Sequence, residues 1–96
     1  MHATICRYED VGGSVDDVVR AGRQLTATLG DVPGFVSCVV LDVGHSALAS
    51  VCIFETRAQM EEGERLLATW SSAHPSVRLP CPADITTGEV IVQRGL

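Results

Sequence analysis

The side chains in this sequence with chemistry beyond packing are Cys6, Arg7, Tyr8, Met60, Trp70 and His74. A phenol such as Tyr8, shielded from water, can orient a substrate through its hydroxyl, and an indole such as Trp70 can stack on an aromatic ligand. His74 is the group able to act as acid, base or axial ligand near neutral pH. Cys6 and Met60 are soft, apolar lining residues. Arg7 and Tyr8 are consecutive, so on a strand they point to opposite faces and line one pocket only if a bulge intervenes. Tyr8 instead shares its face with Cys6 and Thr4. The candidate ligand-binding set is therefore Cys6, Tyr8, Met60, Trp70 and His74, and no residue is identified as catalytic.

Each candidate also has a plain structural role. Trp70 repeats with Met60, Gly63 and Leu67 at helical spacing, which is the pattern of a core stripe. In that role its truncation to Ala costs roughly 3 to 5 kcal/mol. His74 precedes Pro75 in a loop-like stretch, and His45 sits in a turn, where both are solvated. His2, His45 and His74 form no pair at metal-ligand spacing, and Cys6, Cys38, Cys52 and Cys81 contain no CxxC, so no metal or cofactor is expected. The cysteines read as small buried hydrophobes in a reducing compartment. No G-x-S-x-G elbow occurs, which removes the best-known serine nucleophile.

Charge and composition exclude other classes. Twelve acidic residues against seven arginines, with no lysine, give a net charge of −5 and no basic run, so nucleic acid and anionic membrane are poor partners. No apolar stretch reaches the roughly 18 residues that span a bilayer. His2, Arg7, Glu9 and Asp10 stand where a signal peptide needs an apolar run, so a cytoplasmic protein is expected.

The elements that must position these residues follow from periodicity and punctuation. Residues 2–9 alternate as a first strand. Ser14, with Asp16 and Asp17 behind it, opens a helix whose stripe is Val15, Val18, Val19, Gly22, Leu25, Thr26 and Leu29; Gly22 on that stripe suggests close approach to a sheet. Gly30 stops the helix, and Pro33-Gly34 turns the chain into a hairpin. Its two runs, Phe35 to Val43 and Ala47 to Glu55, flank Val43-Gly44-His45-Ser46. Gly44 at the first central position predicts a type II′ turn. That turn pairs Val43 with Ser46, Leu41 with Leu48, Val39 with Ser50, Ser37 with Cys52 and Phe35 with Phe54. Thr56 and Gln59 form a capping box that starts a second helix at about Arg57, ending near Ser72, with Glu61 and Arg65 as an exposed pair. Pro75, Pro80 and Pro82 forbid a regular element, and Thr86 to Arg94 reads as a last strand.

The order β, α, β, β, α, β within a single domain, 1–96, is an α+β, ferredoxin-like βαββαβ arrangement: a four-stranded antiparallel sheet with two helices on one face. Both faces of the hairpin are mostly apolar, yet one chain has helices for only one of them. The simplest cover for the other is a second copy about a two-fold axis, so a homodimer through the open sheet face is expected. Inner-strand aromatics for stacking RNA are missing, since ALASVCIF offers only Phe54 at its far end.

Three passages, PGFVSCVVLD, SVCIFETRAQME and GEVIVQ, resemble the dimeric α/β-barrel superfamily, in particular its small stand-alone members similar to the antibiotic-biosynthesis monooxygenase domain. The resemblance implies two sheets packed into an α/β barrel and, for function, a small apolar or aromatic ligand. It also implies two classes of activity: a non-catalytic or ligand-binding protein of the group without assigned role, or a cofactor-independent monooxygenase or isomerase on an aromatic, polyketide-like substrate. The haem-degrading and polyketide branches rely on an Asn, and this sequence contains none; Trp70 and His74 also stand at shorter spacing than in the haem-degrading branch.

Overall fold

The computed structural model describes residues 1–9, 15–73 and 82–96; Ser14, His74 and Cys81 lie outside them. The described elements are β1 (His2–Tyr8), α1 (Val15–Gly30), β2 (Phe35–Gly44), β3 (Ala47–Phe54), α2 (Arg57–Ala73) and β4 (Asp84–Glu89). The strands form one antiparallel sheet of order β2-β3-β1-β4, the ferredoxin-like arrangement expected from the element order.

The helix starting at Arg57 forms as its capping box requires. Thr56 Oγ1 accepts from the Gln59 N–H at 3.2 Å, and Gln59 Oε1 accepts from the Thr56 N–H at 3.2 Å. Its exposed ion pairs differ from the expected Glu61–Arg65 pair. Glu61 accepts from Arg57 at 3.1 Å, one turn back, and Arg65 is held by Glu62. That bond from Arg65 keeps the Glu62 carboxyl below the ordinary carboxylate range.

The hairpin turn is one residue later than expected. His45 (φ 54°) and Ser46 (φ 59°) are its central residues, both left-handed, and Gly44 (φ 84°) closes the strand opposite Ala47. Positive φ at both central positions is the type I′ geometry, whose twist matches that of the strands. Asp42 supports it by accepting the Gly44 N–H at 3.0 Å. The register moves with the turn: Asp42 faces Leu48, Leu41 faces Ala49, Val39 faces Val51 and Cys38 faces Cys52, while irregularities next to Val43 and Val36 bring Phe35 back opposite Phe54. Cys38 and Cys52, expected as separate buried thiols, are bonded as a cross-strand disulfide with Cα atoms 4.1 Å apart. The one-residue shift is what brings them together.

Two more expectations change. The close helix–sheet approach is at Gly63 of α2, not at Gly22 of α1. A Cβ at Gly63 would lie 2.7 Å from Phe54 Cζ, whereas one at Gly22 would have no such neighbour within 4 Å. The last strand is Asp84–Glu89 rather than Thr86 to Arg94, because β1 is its partner and begins at His2, opposite Glu89. A further bond, from the Val90 N–H to the Met1 carbonyl at 2.9 Å, ends the pairing.

The core sits between the helices and one end of the sheet. Leu29, Val32, Phe54 and Met60 are buried there, with Phe35, Cys38, Cys52, Leu66 and Leu67 packed against them, and Phe35 meets Phe54 edge-on at 5.7 Å. Val19, expected on the α1 stripe, is exposed. On the other face of the sheet Ile5, Val39 and Leu41 are each about half exposed (48%, 52% and 49%), with Ala3, Ala49, Val51 and Ile53 on the same side by register. Among the described residues no helix is long and apolar enough to cross a membrane.

Candidate functional site

The helix-covered face of the sheet is made of transverse rows. Strand pairing places His2 between Phe54 and Glu89, Thr4 between Cys52 and Thr87, and Cys6 between Ser50 and Ile85, while Tyr8 lies opposite Leu48. The rows differ in how well they are covered. At the Phe54 end, α1 and α2 press their apolar stripes on the sheet, and Thr4 Oγ1, itself buried, donates to Met60 Sδ at 2.7 Å with Glu64 Oε1 at 3.4 Å. Among the described residues the filling stops toward the hairpin turn. Val40 and Ile85, the outer members of the Cys6 row, remain 46% and 56% exposed.

Tyr8, Cys6 and Ser50 meet on this less filled half. Strand alternation puts Tyr8 and Cys6 on the same side, as expected, and Arg7 on the opposite one, where it pairs with Glu9 at 3.7 Å. Burial raises the Tyr8 phenol above its ordinary value, against the smaller opposing effect of a hydrogen bond from Ser50; the neighbouring Cys6 adds to the rise. Tyr8 is thus a neutral hydroxyl throughout the physiological range, able to donate to a carbonyl or phenolate and to accept in return. Ser50 is buried, and its spacing in ALASVCIF carried no signal that it would lie on the Tyr8 side of the sheet. Only the pairing of β1 with β3 brings the two together.

The other candidates divide. Met60 belongs to the buried core rather than to an open lining. Trp70 is half-buried near the end of α2, beyond Leu66 and Leu67, and so is not the fully buried core tryptophan its stripe suggested. His74 lies outside the described residues. Among the described residues, no group of three or more His, Cys, Asp or Glu side chains converges as a metal site would require. Two shallow concavities lined by described residues lie elsewhere. One, of about 240 Å³, is bounded by Arg7, Glu9, Val43, His45 and Ala47 at the hairpin end, and the other, of about 430 Å³, by Asp16, Val19, Arg20, Arg23 and Gln24 along α1.

No family model and no curated protein matches the sequence. Solved structures do. The chain superposes on MhuD, in a variant with two manganese protoporphyrin IX molecules bound per active site, with a TM-score of 0.78 at 15% identity, covering 99% of both chains. It is similar to SnoaB, a cofactor-independent oxygenase from Streptomyces nogalater, with a TM-score of 0.73 at 11% identity, over 96% of this chain and 94% of that one. A proposed antibiotic biosynthesis monooxygenase from Chloroflexus aurantiacus matches with a TM-score of 0.72 at 10% identity, over 98% and 96%. At such identities the likeness is one of backbone, carried over almost the whole length of each chain. The protein has the ferredoxin-like fold shared by these antibiotic-biosynthesis-monooxygenase-like structures.

Proposed function

We propose that this protein is a homodimer that binds a small apolar or aromatic ligand on the helix side of its sheet, with the Tyr8 hydroxyl as the polar anchor and no chemistry of its own. The observation that carries the ligand reading is the unevenly filled helix face: packed around Phe54 and Met60, open around Val40 and Ile85, with Tyr8, Cys6 and Ser50 between. Aliphatic walls with one hydroxyl suit a planar hydrophobic molecule bearing a single oxygen function. The dimer reading is supported by the opposite face, where half-exposed Ile5, Val39 and Leu41 adjoin Ala49, Val51 and Ile53. Apolar patches of that kind mark association surfaces.

A thermal-shift screen with aromatic polyketides and haem, repeated with Tyr8→Phe, tests the ligand. A stabilising compound whose effect shrinks in the variant supports the reading, and absence of any shift from the panel retires it. Light scattering of the same samples reads the assembly state.

A second reading, cofactor-independent oxygenation of such a ligand, is favoured by the backbone likeness to SnoaB. Fold likeness alone does not assign a reaction. Oxygen consumption with the stabilising compounds distinguishes the two: turnover lost in Tyr8→Phe supports the enzyme, and binding without uptake supports the carrier.

A further inference from the structure

We propose that the Cys38–Cys52 disulfide is a redox switch for the register of β2. While the bond stands, residues 37–42 are held one position away from the pairing that their own sequence favours, and reduction releases them to it. Only the consequence for assembly rests on the homodimer reading above.

The pairings along β2 show the displacement. Phe35 faces Phe54, Cys38 faces Cys52 and Gly44 faces Ala47, with one extra residue of β2 taken up at Val36 and another at Val43. Continuing the Phe35–Phe54 pairing without those two irregularities sets Ser37 opposite Cys52, Val39 opposite Ser50 and Leu41 opposite Leu48, and closes the hairpin on Gly44 and His45. That turn is type II′ with glycine at the position that needs it, and Gly44 is already at φ 84°. The turn in place instead holds two non-glycine residues, His45 and Ser46, at φ 54° and 59°, a region such residues adopt uncommonly. Local preference favours one register and the covalent bond holds the other.

Little else opposes the move. In the order β2-β3-β1-β4, β2 is an edge strand with one neighbour, so a slide breaks no second ladder. Its side chains are apolar toward both faces: Val39, Val40, Leu41 and Val43 lie between 46% and 52% exposed, and burial of that kind specifies a register weakly. Ser37, close in size to Cys38, takes over the position opposite Cys52. Cys38 itself goes to the other face, so the bond exists only in the observed register.

Both cysteines are half-buried on an edge hairpin, within reach of a small thiol. One reductant thiol attacks a sulfur to give a mixed disulfide, and a second displaces it. The two reductant molecules leave joined by an S–S bond, and Cys38 and Cys52 each end as a thiol. After the slide Val39 and Leu41 turn to the helix side, beside Ser50 and Leu48, while Val40 and Asp42 turn to the open face. A carboxylate then stands where Leu41 added to the apolar patch, which weakens the dimer.

The test uses the full chain, oxidised and then reduced with dithiothreitol, with cross-strand nuclear Overhauser contacts as the readout of register. Val39 is expected opposite Val51 before reduction and opposite Ser50 after it, with Leu41 moving from Ala49 to Leu48. A folded, reduced chain that keeps Val39 opposite Val51 overturns the switch. Where reduction unfolds the chain, the double variant Ser37→Cys/Cys38→Ser decides: in a glutathione redox buffer, a bond from position 37 to Cys52 found by peptide mapping supports the second register, and its absence overturns it. Sedimentation of the two forms reads the assembly. A dimer dissociation constant raised by roughly tenfold or more on reduction supports the coupling. An equal constant with a moved register overturns the coupling alone, and a single-chain particle in both forms overturns the homodimer while the register result stands.

Discussion

Tyr8 is the only tyrosine in the chain, so its phenolate can be titrated directly by ultraviolet absorbance. Burial penalises the charged form and lifts the midpoint above the ordinary value of 10.0. The sign for stability follows from linkage. The unfolded chain releases this proton at lower pH than the folded one, so the contribution is intact below about pH 10 and is lost as pH rises through the folded value. Absorbance titration is expected to place the midpoint above that of the urea-unfolded protein, and alkaline denaturation of Tyr8→Phe is expected to be less steep. A coincident midpoint in folded and unfolded protein refutes the buried phenol. The single tryptophan offers a parallel check. Because Trp70 is only half-buried, Trp70→Ala is expected to cost about 1 to 3 kcal/mol, the range of ordinary substitutions, rather than the 3 to 5 kcal/mol typical of fully buried rings. Alkylation mapping under non-reducing conditions is expected to label Cys6 and spare Cys38 and Cys52.

At the scale of elements, two helical glycines separate propensity from packing. Gly22 has open space where a Cβ would go, so Gly22→Ala is expected to stabilise the protein by up to about 1 kcal/mol through helix propensity. At Gly63 the same change puts a methyl into the Phe54 ring, 2.7 Å from Cζ and 3.2 Å from Cε1. Phe54 is among the most buried side chains of the core and cannot move aside freely, so Gly63→Ala is expected to destabilise by roughly 1 to 3 kcal/mol. Urea denaturation of the two variants reads opposite signs, and equal signs refute the assigned contact. Both glycines stand on helical stripes in the sequence, and nothing in their spacing says which helix lies closer to the sheet. The capping box at Thr56 and Gln59 is the contrary case, legible because every atom in it belongs to four consecutive residues.

For the whole molecule, the balance of covered and uncovered surface is what matters. A chain of 96 residues has little core to spare, and here the buried cluster is confined to one end of one sheet face. Association that hides Ile5, Val39 and Leu41 adds stability by mass action, so the thermal midpoint is expected to rise with protein concentration. Calorimetry over a hundredfold dilution, roughly 2.7 kcal/mol of linkage at most, checks this. A midpoint independent of concentration refutes the dimer as a source of stability.

What the sequence determined by itself is whatever depends on neighbours along the chain: the order of the six elements, the cap of α2, the alternation that sends Arg7 and Tyr8 to opposite faces, and the existence of a hairpin around Gly44. Local propensity and the period of apolar residues suffice for these, and they also suffice for the fold class. The tertiary structure decided everything that hangs on a single residue of register. The turn at His45-Ser46, together with the irregularity at Val43, joined Cys38 to Cys52 and put Val39, Leu41 and Val51 on the open face, while the pairing of β1 with β3 set Ser50 level with Cys6 on the Tyr8 side of the sheet. Turn types of two residues differ by little in sequence, yet a shift of one position exchanges which side chains meet across the strands, so the site became visible only once the strands were paired.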